Sequence, residues 1–173
     1  VLMTASLARL LRQSISNEDE VVPLAREVEY AKGYLTIQKM RYKDKLEFEI
    51  NVEPSILNIP LIKLVLQPII ENAIYHGLKY KESKGLLQVK GFMKDGNAVL
   101  QVIDNGVGMD EETLAHIYDK HKVNYHSNGV GVYNVQKRLQ LYYGESYGIT
   151  YESEKGVGTT ATITIPGMQE ESI

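Results

Sequence analysis

The sequence contains no cysteine, no excess of basic residues and no long apolar run. Without cysteine there is neither a disulfide framework nor a thiolate metal site, which fits a reducing compartment. The 19 basic residues are outnumbered by 22 acidic ones, so no general nucleic-acid-binding surface is expected. No apolar run reaches the roughly 20 residues that a transmembrane helix requires.

The amino terminus lacks the basic region and the small-residue cleavage site of a signal peptide. Val1 is not a natural start, and we therefore expect the 173 residues to be part of a longer protein. Their composition, 43% apolar and 24% charged, is typical of a globular domain with its own core.

The first 42 residues differ from the rest in their pattern. Helical spacing of apolar residues predicts a helix over residues 2–15, and Pro23 opens a second helical stretch that extends to about Arg41. These two helices carry too little apolar area to form a separate domain. We therefore predict that residues 1–42 are the remnant of a helical bundle and its linker.

Residues 43–167 are predicted to form one α+β domain, followed by a disordered tail over residues 168–173. Alternating and periodic apolar residues predict five strands and two helices. The strands are expected over residues 46–52, 86–94, 98–104, 148–154 and 159–165, and the helices over residues 61–78 and 130–143. This order favours a sandwich with the helices on one face of a mixed sheet.

Two polar residues continue the apolar stripe of the first of these helices. Asn72 follows Ile69 by three residues, and His76 follows Asn72 by four. A buried amide without a partner costs about 1–3 kcal/mol, so Asn72 needs one. That partner is either a group of the protein core or a ligand. An amide oxygen suits Mg²⁺ held beside phosphate oxygens and waters.

Asp104 and Thr159 likewise extend the apolar faces of two strands. Asp104 shares one side of its strand with Leu100 and Val102, where a carboxylate needs hydrogen-bond donors. It either caps its own loop or accepts from the exocyclic amine of adenine. Thr159 is either an ordinary strand threonine or the holder of a water beside Asp104, which would give an acceptor pair for adenine.

Glycines flank a long loop over residues 105–129. A loop of this length in a compact domain is usually functional or mobile. Gly106 and Gly108 follow Asp104 and let the backbone pass close to a flat ring. Gly129 and Gly131 begin the last predicted helix, where free amide groups bind phosphate; a flexible hinge is the alternative. Neither a P-loop nor a Rossmann fingerprint is present.

Taken in this order, the segments resemble the boxes of the superfamily that joins gyrase, heat-shock chaperone ATPases, histidine kinases and MutL. Residues 66–77 resemble the asparagine box, residues 104–109 the first glycine box, residues 128–139 the second, and residues 156–160 the closing glycine–threonine element. These boxes, and the segment over residues 23–35, are most similar to the LytS/YesM-like branch of sensor histidine kinases. The resemblance covers nearly the whole chain.

The resemblance implies a Bergerat-type ATPase domain, a two-layer α/β sandwich with a mixed, mostly antiparallel sheet. It implies ATP and Mg²⁺ as cofactors, with Asn72 as catalytic residue and metal ligand. Residues 109–128 would form a mobile lid over the phosphates. The implied nucleotide-binding residues are Asn72, His76, Lys79, Asp104, Gly106, Gly108, Met109, Asn128, Gly129, Val130, Gly131 and Thr159.

Two departures from the superfamily pattern bear on activity. Gyrase-like ATPases carry a water-activating glutamate four residues before the metal-binding asparagine, and Pro68 occupies that place here. Glu71 is the remaining candidate base, although it lies about 100° around the helix from Asn72. The acceptor histidine of the branch precedes the first helix, and none of the four histidines of this chain occupies that position: His76, His116, His121 and His126.

We therefore expect the catalytic domain of a two-component sensor histidine kinase. It would transfer the γ-phosphoryl group of Mg-ATP to a histidine upstream of residue 1, for relay to a response-regulator aspartate. The intact kinase is expected to be a homodimer anchored in the inner or plasma membrane, with this domain in the cytoplasm. The alternatives are an ATP-hydrolysing module of the gyrase, chaperone or MutL kind, and an interaction domain that no longer binds ATP.

Overall fold

A computed structural model describes residues 20–117 and 129–167 of the chain. Strand β1 (Val21–Pro23) leads into helix α1 (Leu24–Tyr42), and strands β2 (Leu46–Val52) and β3 (Pro60–Ile62) follow. Helix α2 (Leu66–Asn72) continues into a wider π turn (Ala73–Leu78). The remaining elements are β4 (Gly85–Lys94), β5 (Asn97–Asp104), α3 (Glu111–Ala115), α4 (Gly129–Tyr143), β6 (Gly148–Glu154) and β7 (Gly158–Pro166).

The main sheet has five strands in the order β2-β4-β5-β7-β6. β2 runs parallel to β4, and the other three pairs are antiparallel, so the sheet is mixed and mostly antiparallel as expected. β4 and β5 form a hairpin whose turn residues, Asp95 and Gly96, both have positive φ angles. This is the backbone geometry that an Asp-Gly pair favours between two strands.

One face of the sheet carries the core. Ala98, Leu100 and Val102 alternate along β5 and are buried, and the register sets Leu100 beside Ile163 of β7. Helices α1, α2 and α4 each contribute buried apolar residues to the same cluster. The predicted α+β sandwich is therefore confirmed.

The helix predicted from Leu61 begins five residues later than expected. Residues 60–62 instead pair as β3 with β1 in an antiparallel two-stranded sheet. Leu64 then adopts a φ of 61° and is 38% exposed, which interrupts any helix at that point. The predicted start was wrong because pairing with a segment 40 residues away outweighed the local helical periodicity. Helix α3 is a second departure, since it lies in a segment predicted as a loop.

Helix α1 packs against the rest of the described chain. Leu24 and Leu35 are fully buried in the shared core. Glu27, only 2% exposed, accepts hydrogen bonds of 2.8–3.0 Å from the backbone N–H groups of residues 64–66. The carboxylate of α1 thus satisfies the free amide groups at the start of α2.

Several predicted segments lie outside the described residues. These are the helix over residues 2–15, the larger part of the lid, and the tail over residues 168–173. The assignment of residues 1–42 to a bundle remnant stays a prediction. None of the helices in the described ranges combines the length and the hydropathy that a membrane span requires.

Candidate functional site

A cavity of about 580 Å³ opens between α2 with its π turn, the end of β5, the start of β7 and helix α3. Six residues that the sequence predicted for a nucleotide site line its wall: Asn72, His76, Asp104, Gly108, Met109 and Thr159. Apolar residues not predicted for it complete the wall, including Ile69, Ala73, Val102 and Ile117. Small-molecule sites occupy about 300–1,000 Å³ and combine an apolar wall with a few polar groups, as here.

Asp104 is the buried carboxylate of this cavity. It ends β5 and is 6% exposed. One of its oxygens accepts a hydrogen bond of 2.8 Å from the N–H of Gly106. Burial raises the pKa of Asp104 to about 6, although the backbone N–H groups of Gly106 and Thr159 and the Lys81 ammonium act in the opposite direction. A carboxylate has about four acceptor positions, so it can also accept from a ligand amine.

Close backbone contacts around Asp104 require glycine at three positions. A Cβ atom at Gly77 would lie 2.6 Å from a carboxylate oxygen of Asp104. One at Gly106 would lie 2.4 Å from the backbone of Gly77. Gly158 has a φ of 145°, and its Cβ would lie 2.0 Å from the carbonyl oxygen of Asp104. The glycines of this region thus hold the π turn, β5 and β7 close together at the cavity.

Thr159 lies beside Asp104 as the sequence suggested, because the two residues are partners in the β5–β7 register. The hydroxyl of Thr159 lies 2.8 Å from that of Ser153, a residue that was not predicted. Ser153 also donates to the carbonyl of Gly158 at 3.0 Å and accepts from the N–H of Met109 at 2.8 Å. The signal for Ser153 was weak, because a serine in β6, a strand at the edge of the sheet, fits ordinary alternation.

Asn72 presents a buried, unsatisfied oxygen at the cavity. Its side chain lines the wall, and its Oδ1 atom is shielded from solvent and has no hydrogen-bond partner among the described residues. A buried amide oxygen in this state costs about 1–3 kcal/mol unless a ligand completes it. An oxygen donor next to a cavity for a phosphorylated ligand fits Mg²⁺, which binds through one or two protein oxygens and keeps several waters.

His76 and Lys79 have different placements. His76 lines the cavity from the π turn, and partial burial followed by the charge of Lys79 lowers its pKa. Lys79 does not line the cavity formed by the described residues. Its ammonium group lies 5.8 Å from the ring centre of Tyr75 and 5.5 Å from that of Tyr80.

Glu71 also lies outside the wall of the cavity. Its carboxylate accepts a hydrogen bond of 2.9 Å from the side chain of Gln67. Burial, and then the charge of Glu71, raise the pKa of Tyr34 on α1. Glu71 therefore faces α1, in agreement with its angle around the helix from Asn72, and the geometry gives no support to a role as catalytic base.

The second glycine segment lies at the start of α4. Gly129, Val130 and Gly131 form its first residues, where backbone N–H groups have no partner within the helix. A Cβ at Gly131 would lie 3.8 Å from Pro68, which is an ordinary contact, so packing alone does not demand glycine there. Asn128 lies outside the described residues.

The comparisons with known proteins agree with this geometry. The family model described as histidine kinase-, DNA gyrase B-, and HSP90-like ATPase matches residues 58–169, which include the asparagine and aspartate of the cavity and its closing glycine–threonine segment. The chain belongs to this ATPase family. A second model, described as histidine kinase, matches residues 2–46, ahead of the ATPase match.

Relatives of this ATPase-family chain include the sensor histidine kinase YesM of Bacillus subtilis, 32% identical over 97% of the chain and 28% of that protein. The sensor protein LytS of Oceanobacillus iheyensis is 34% identical over 80% of the chain and 24% of its own length. The chain thus spans about a quarter of these relatives. Their LytS and YesM names match the branch that the sequence resembled.

Solved structures show the same fold. The catalytic domain of histidine kinase ThkA matches with a TM-score of 0.64 at 16% identity, over 87% of the chain and 100% of that structure. The histidine kinase domain from the Erythrobacter litoralis EL346 blue-light activated kinase matches with a TM-score of 0.61 at 16% identity, over 95% of the chain and 73% of that domain.

Proposed function

We propose that this chain is the ATP-binding catalytic part of a two-component sensor histidine kinase. In the intact protein it would transfer the γ-phosphoryl group of ATP to a histidine that precedes residue 1. The phosphoryl group would then pass to an aspartate of a response regulator. Family membership supports the use of ATP, and the sensor kinases among the relatives support the kinase.

One observation carries the proposal: a single cavity collects an amide, a carboxylate and a hydroxyl from three separate elements. Each of these polar groups extends an apolar face, at a position where a protein without a ligand would normally carry an apolar side chain. Asp104 would accept from the adenine amine, with Thr159 beside it as a second acceptor. Asn72 lies on the helix side of the same cavity, where it would face the phosphates.

Asn72 is also the residue that would hold Mg²⁺, because its oxygen is buried and lacks a partner among the described residues. When bound, Mg²⁺ neutralises charge on the phosphate oxygens. The remaining work of the domain is to position the nucleotide and exclude water. In the transfer, a histidine nitrogen forms a bond to the γ-phosphorus as the bond to the β–γ bridging oxygen breaks, and ADP leaves.

The position of Glu71 favours phosphoryl transfer over hydrolysis. Pro68 replaces the expected water-activating glutamate, and Glu71 faces α1 instead of the cavity. We therefore expect the 173-residue chain to bind Mg-ATP without steady release of phosphate.

The test is a pair of assays on the purified chain and its Glu71→Gln variant. Binding is measured with a fluorescent ATP analogue, and hydrolysis with γ-labelled ATP over many hours. The proposal predicts binding by both proteins, with phosphate release from both at the background rate. Multiple turnovers by the wild type that Glu71→Gln abolishes would instead establish the gyrase-like alternative. Absence of nucleotide binding would establish the ATP-blind alternative.

The properties of the whole protein belong to the same proposal. We expect a homodimer, because a kinase of this kind presents its acceptor histidine on a helical bundle, and the histidine kinase model matches residues 2–46. We also expect a membrane-anchored sensor with this domain in the cytoplasm. An intact kinase carrying Asn72→Leu should fail to form acid-labile, base-stable phosphohistidine, whereas the wild type should form it.

A further inference from the structure

Ser153 forms a hydrogen-bonding centre next to Met109 and Thr159, two residues that line the cavity. Its hydroxyl lies 3.0 Å from the carbonyl oxygen of Gly158, 2.8 Å from the N–H of Met109 and 2.8 Å from the hydroxyl of Thr159. A serine hydroxyl has one proton and two lone pairs, so these three contacts use its full capacity. The direction of each hydrogen bond can therefore be assigned.

The carbonyl of Gly158 can only accept, so it takes the single proton of Ser153. The N–H of Met109 can only donate, so it takes one lone pair. The second lone pair remains for Thr159, whose hydroxyl must then donate to Ser153. The proton of Thr159 is thereby committed, and its own two lone pairs are left to accept.

This assignment fixes what Thr159 offers to a ligand in the cavity that it lines. With its proton engaged, the threonine presents an acceptor beside the acceptor Asp104, its register partner. Two acceptors side by side attract a purine that carries an amine at position 6. They repel one that carries a carbonyl oxygen there, because two acceptors facing each other leave both unpaired. A water between these residues and the base keeps this polarity when it donates one proton to Thr159 and the other to Asp104, because it can then only accept from the base.

We propose that Ser153 determines the preference for 6-amino over 6-oxo purine nucleotides by holding the hydroxyl of Thr159 as an acceptor. This inference rests on the proposed function, since it concerns the base of the nucleotide bound there. Ser153 is a positioning residue in this scheme, because it acts on the ligand only through Thr159. Without it, the threonine hydroxyl can turn and donate to a carbonyl oxygen at position 6.

The test compares ATP with ITP, which carries a carbonyl oxygen in place of the 6-amine. Dissociation constants are measured by calorimetry with Mg²⁺ at about pH 8, where Asp104 is ionised. The wild type should prefer ATP at least tenfold. In Ser153→Ala the ratio of the two dissociation constants should fall by about three- to tenfold, as expected for one hydrogen bond. Ser146→Ala, an exposed serine before the same strand, should keep the wild-type ratio.

A double-mutant cycle separates this effect from a structural one. Ser153 also anchors Met109, and loss of that contact should weaken both nucleotides equally and leave the ratio unchanged. If Ser153 acts through Thr159, then Ser153→Ala should not change the ratio further in a Thr159→Val background. Should Ser153→Ala fail to fold, Ser153→Cys replaces it with the same expected direction, because a thiol is a weaker acceptor.

The outcomes are distinct for the two proposals. An unchanged ATP-to-ITP ratio in Ser153→Ala, with ATP still bound, overturns the role of Ser153 and leaves the proposed function intact. An equal shift in ratio with and without Thr159 also overturns it, because the effect would not pass through that residue. Failure of the wild type to bind either nucleotide overturns both proposals.

Discussion

At the scale of single residues, the polar groups of the cavity differ in what the protein already provides for them. Asp104 has backbone donors but stays strongly desolvated, so its pKa is raised to about 6. Asn72 has no partner for its oxygen among the described residues. Thr159 is tied to Ser153. Each of these states predicts a different response to substitution or to pH.

The raised pKa of Asp104 predicts how ATP binding depends on pH. The ionised carboxylate accepts from the adenine amine, and protonation removes an acceptor, so affinity should fall as pH drops below about 6. The decrease should reach at most about tenfold per pH unit. Calorimetric titrations between about pH 5 and pH 8 would measure it.

Other ionisable side chains line the same cavity, namely His76, Glu112 and His116, so the profile needs a control. Asp104→Asn keeps those groups and removes the carboxylate. Its profile should lack the decrease that begins at about pH 6. A wild-type curve parallel to that of Asp104→Asn would show that another group controls the pH dependence.

The pKa of Asp104 also fixes the sign of its effect on folding. A carboxyl group whose pKa is raised in the folded state favours folding below its unfolded value of 3.8, and this contribution is lost as pH rises through about 6. The unliganded protein therefore carries a destabilising charge at neutral pH. A nucleotide amine would relieve part of it.

Asn72 should be required for metal-dependent binding but not for folding. In Asn72→Leu we expect the gain in ATP affinity that Mg²⁺ gives over EDTA to fall by about tenfold, since the oxygen ligand is lost. The free energy of unfolding should not fall and should rise by up to about 1–3 kcal/mol, because the substitution removes a buried Oδ1 that has no hydrogen-bond partner among the described residues. Urea unfolding and titrations with and without Mg²⁺ would measure the two effects.

Asn72→Asp is the matched control, because it retains an oxygen at the same position. It should keep a metal-dependent gain in affinity. A gain that survives in Asn72→Leu would place the metal elsewhere.

At the scale of elements, the contact between α1 and α2 links the amino-terminal side of the chain to the cavity. Glu27 caps the start of α2, which carries Asn72 about 1.7 turns later. The loop before α2 is also held from the other side, where Arg138 of α4 donates to the carbonyl of Lys63 at 2.8 Å. The segment before α2 is therefore clamped between two helices.

Removal of the Glu27 carboxylate should destabilise this arrangement. Glu27→Ala would leave three backbone N–H groups without this acceptor, two of them buried, and we expect a loss of about 3 kcal/mol in the free energy of unfolding. Glu27→Gln keeps one oxygen acceptor and should lose roughly half as much. Denaturant unfolding would measure both, with Glu29→Gln as the control on an exposed position of the same helix. A loss from Glu27→Ala no larger than that of the control would contradict the capping role.

The elements could be predicted wherever local pattern and tertiary structure agree. Alternation located β2, β4, β5, β6 and β7 to within two residues, since each has one buried and one polar face. The start of α2 could not be found in this way. Its periodic leucines include Leu61, which pairs in β3, and Leu64, which has a positive φ. The pairing of Leu61 depends on residues 21–23, and the N–H of Leu64 donates to Glu27, so both lie in contacts with residues about 40 positions earlier in the chain.

The site was predictable to the extent that polar residues interrupted apolar faces. This rule found Asn72, Asp104 and Thr159, which share one cavity. The same rule applied to α1 would have singled out Glu27, which lies on the buried stripe of Leu24, Ala31 and Leu35. The rule did not find Ser153. Its role depends on hydrogen bonds to Met109, Gly158 and Thr159, which come close to Ser153 only in the folded chain.

At the scale of the whole molecule, a bound nucleotide would supply the hydrogen-bond partners that the polar groups of this cavity lack. If the charge of the binding site lowers the stability of the fold, its removal should weaken ATP binding and at the same time raise the free energy of unfolding. Asp104→Asn removes the desolvated charge and should raise the free energy of unfolding at neutral pH by about 1–3 kcal/mol. If Asp104 served only to stabilise the fold, the same substitution would lower the free energy of unfolding.

The most direct test is calorimetric titration of Mg-ATP into the wild type and Asp104→Asn. Asp95→Asn serves as the control, because it makes the same chemical change in the turn at the other end of β5. We predict at least a tenfold loss of affinity in Asp104→Asn, about 1.4 kcal/mol, and none in Asp95→Asn. Equal affinities in all three proteins would contradict the account, because adenine would then not be read by the buried carboxylate.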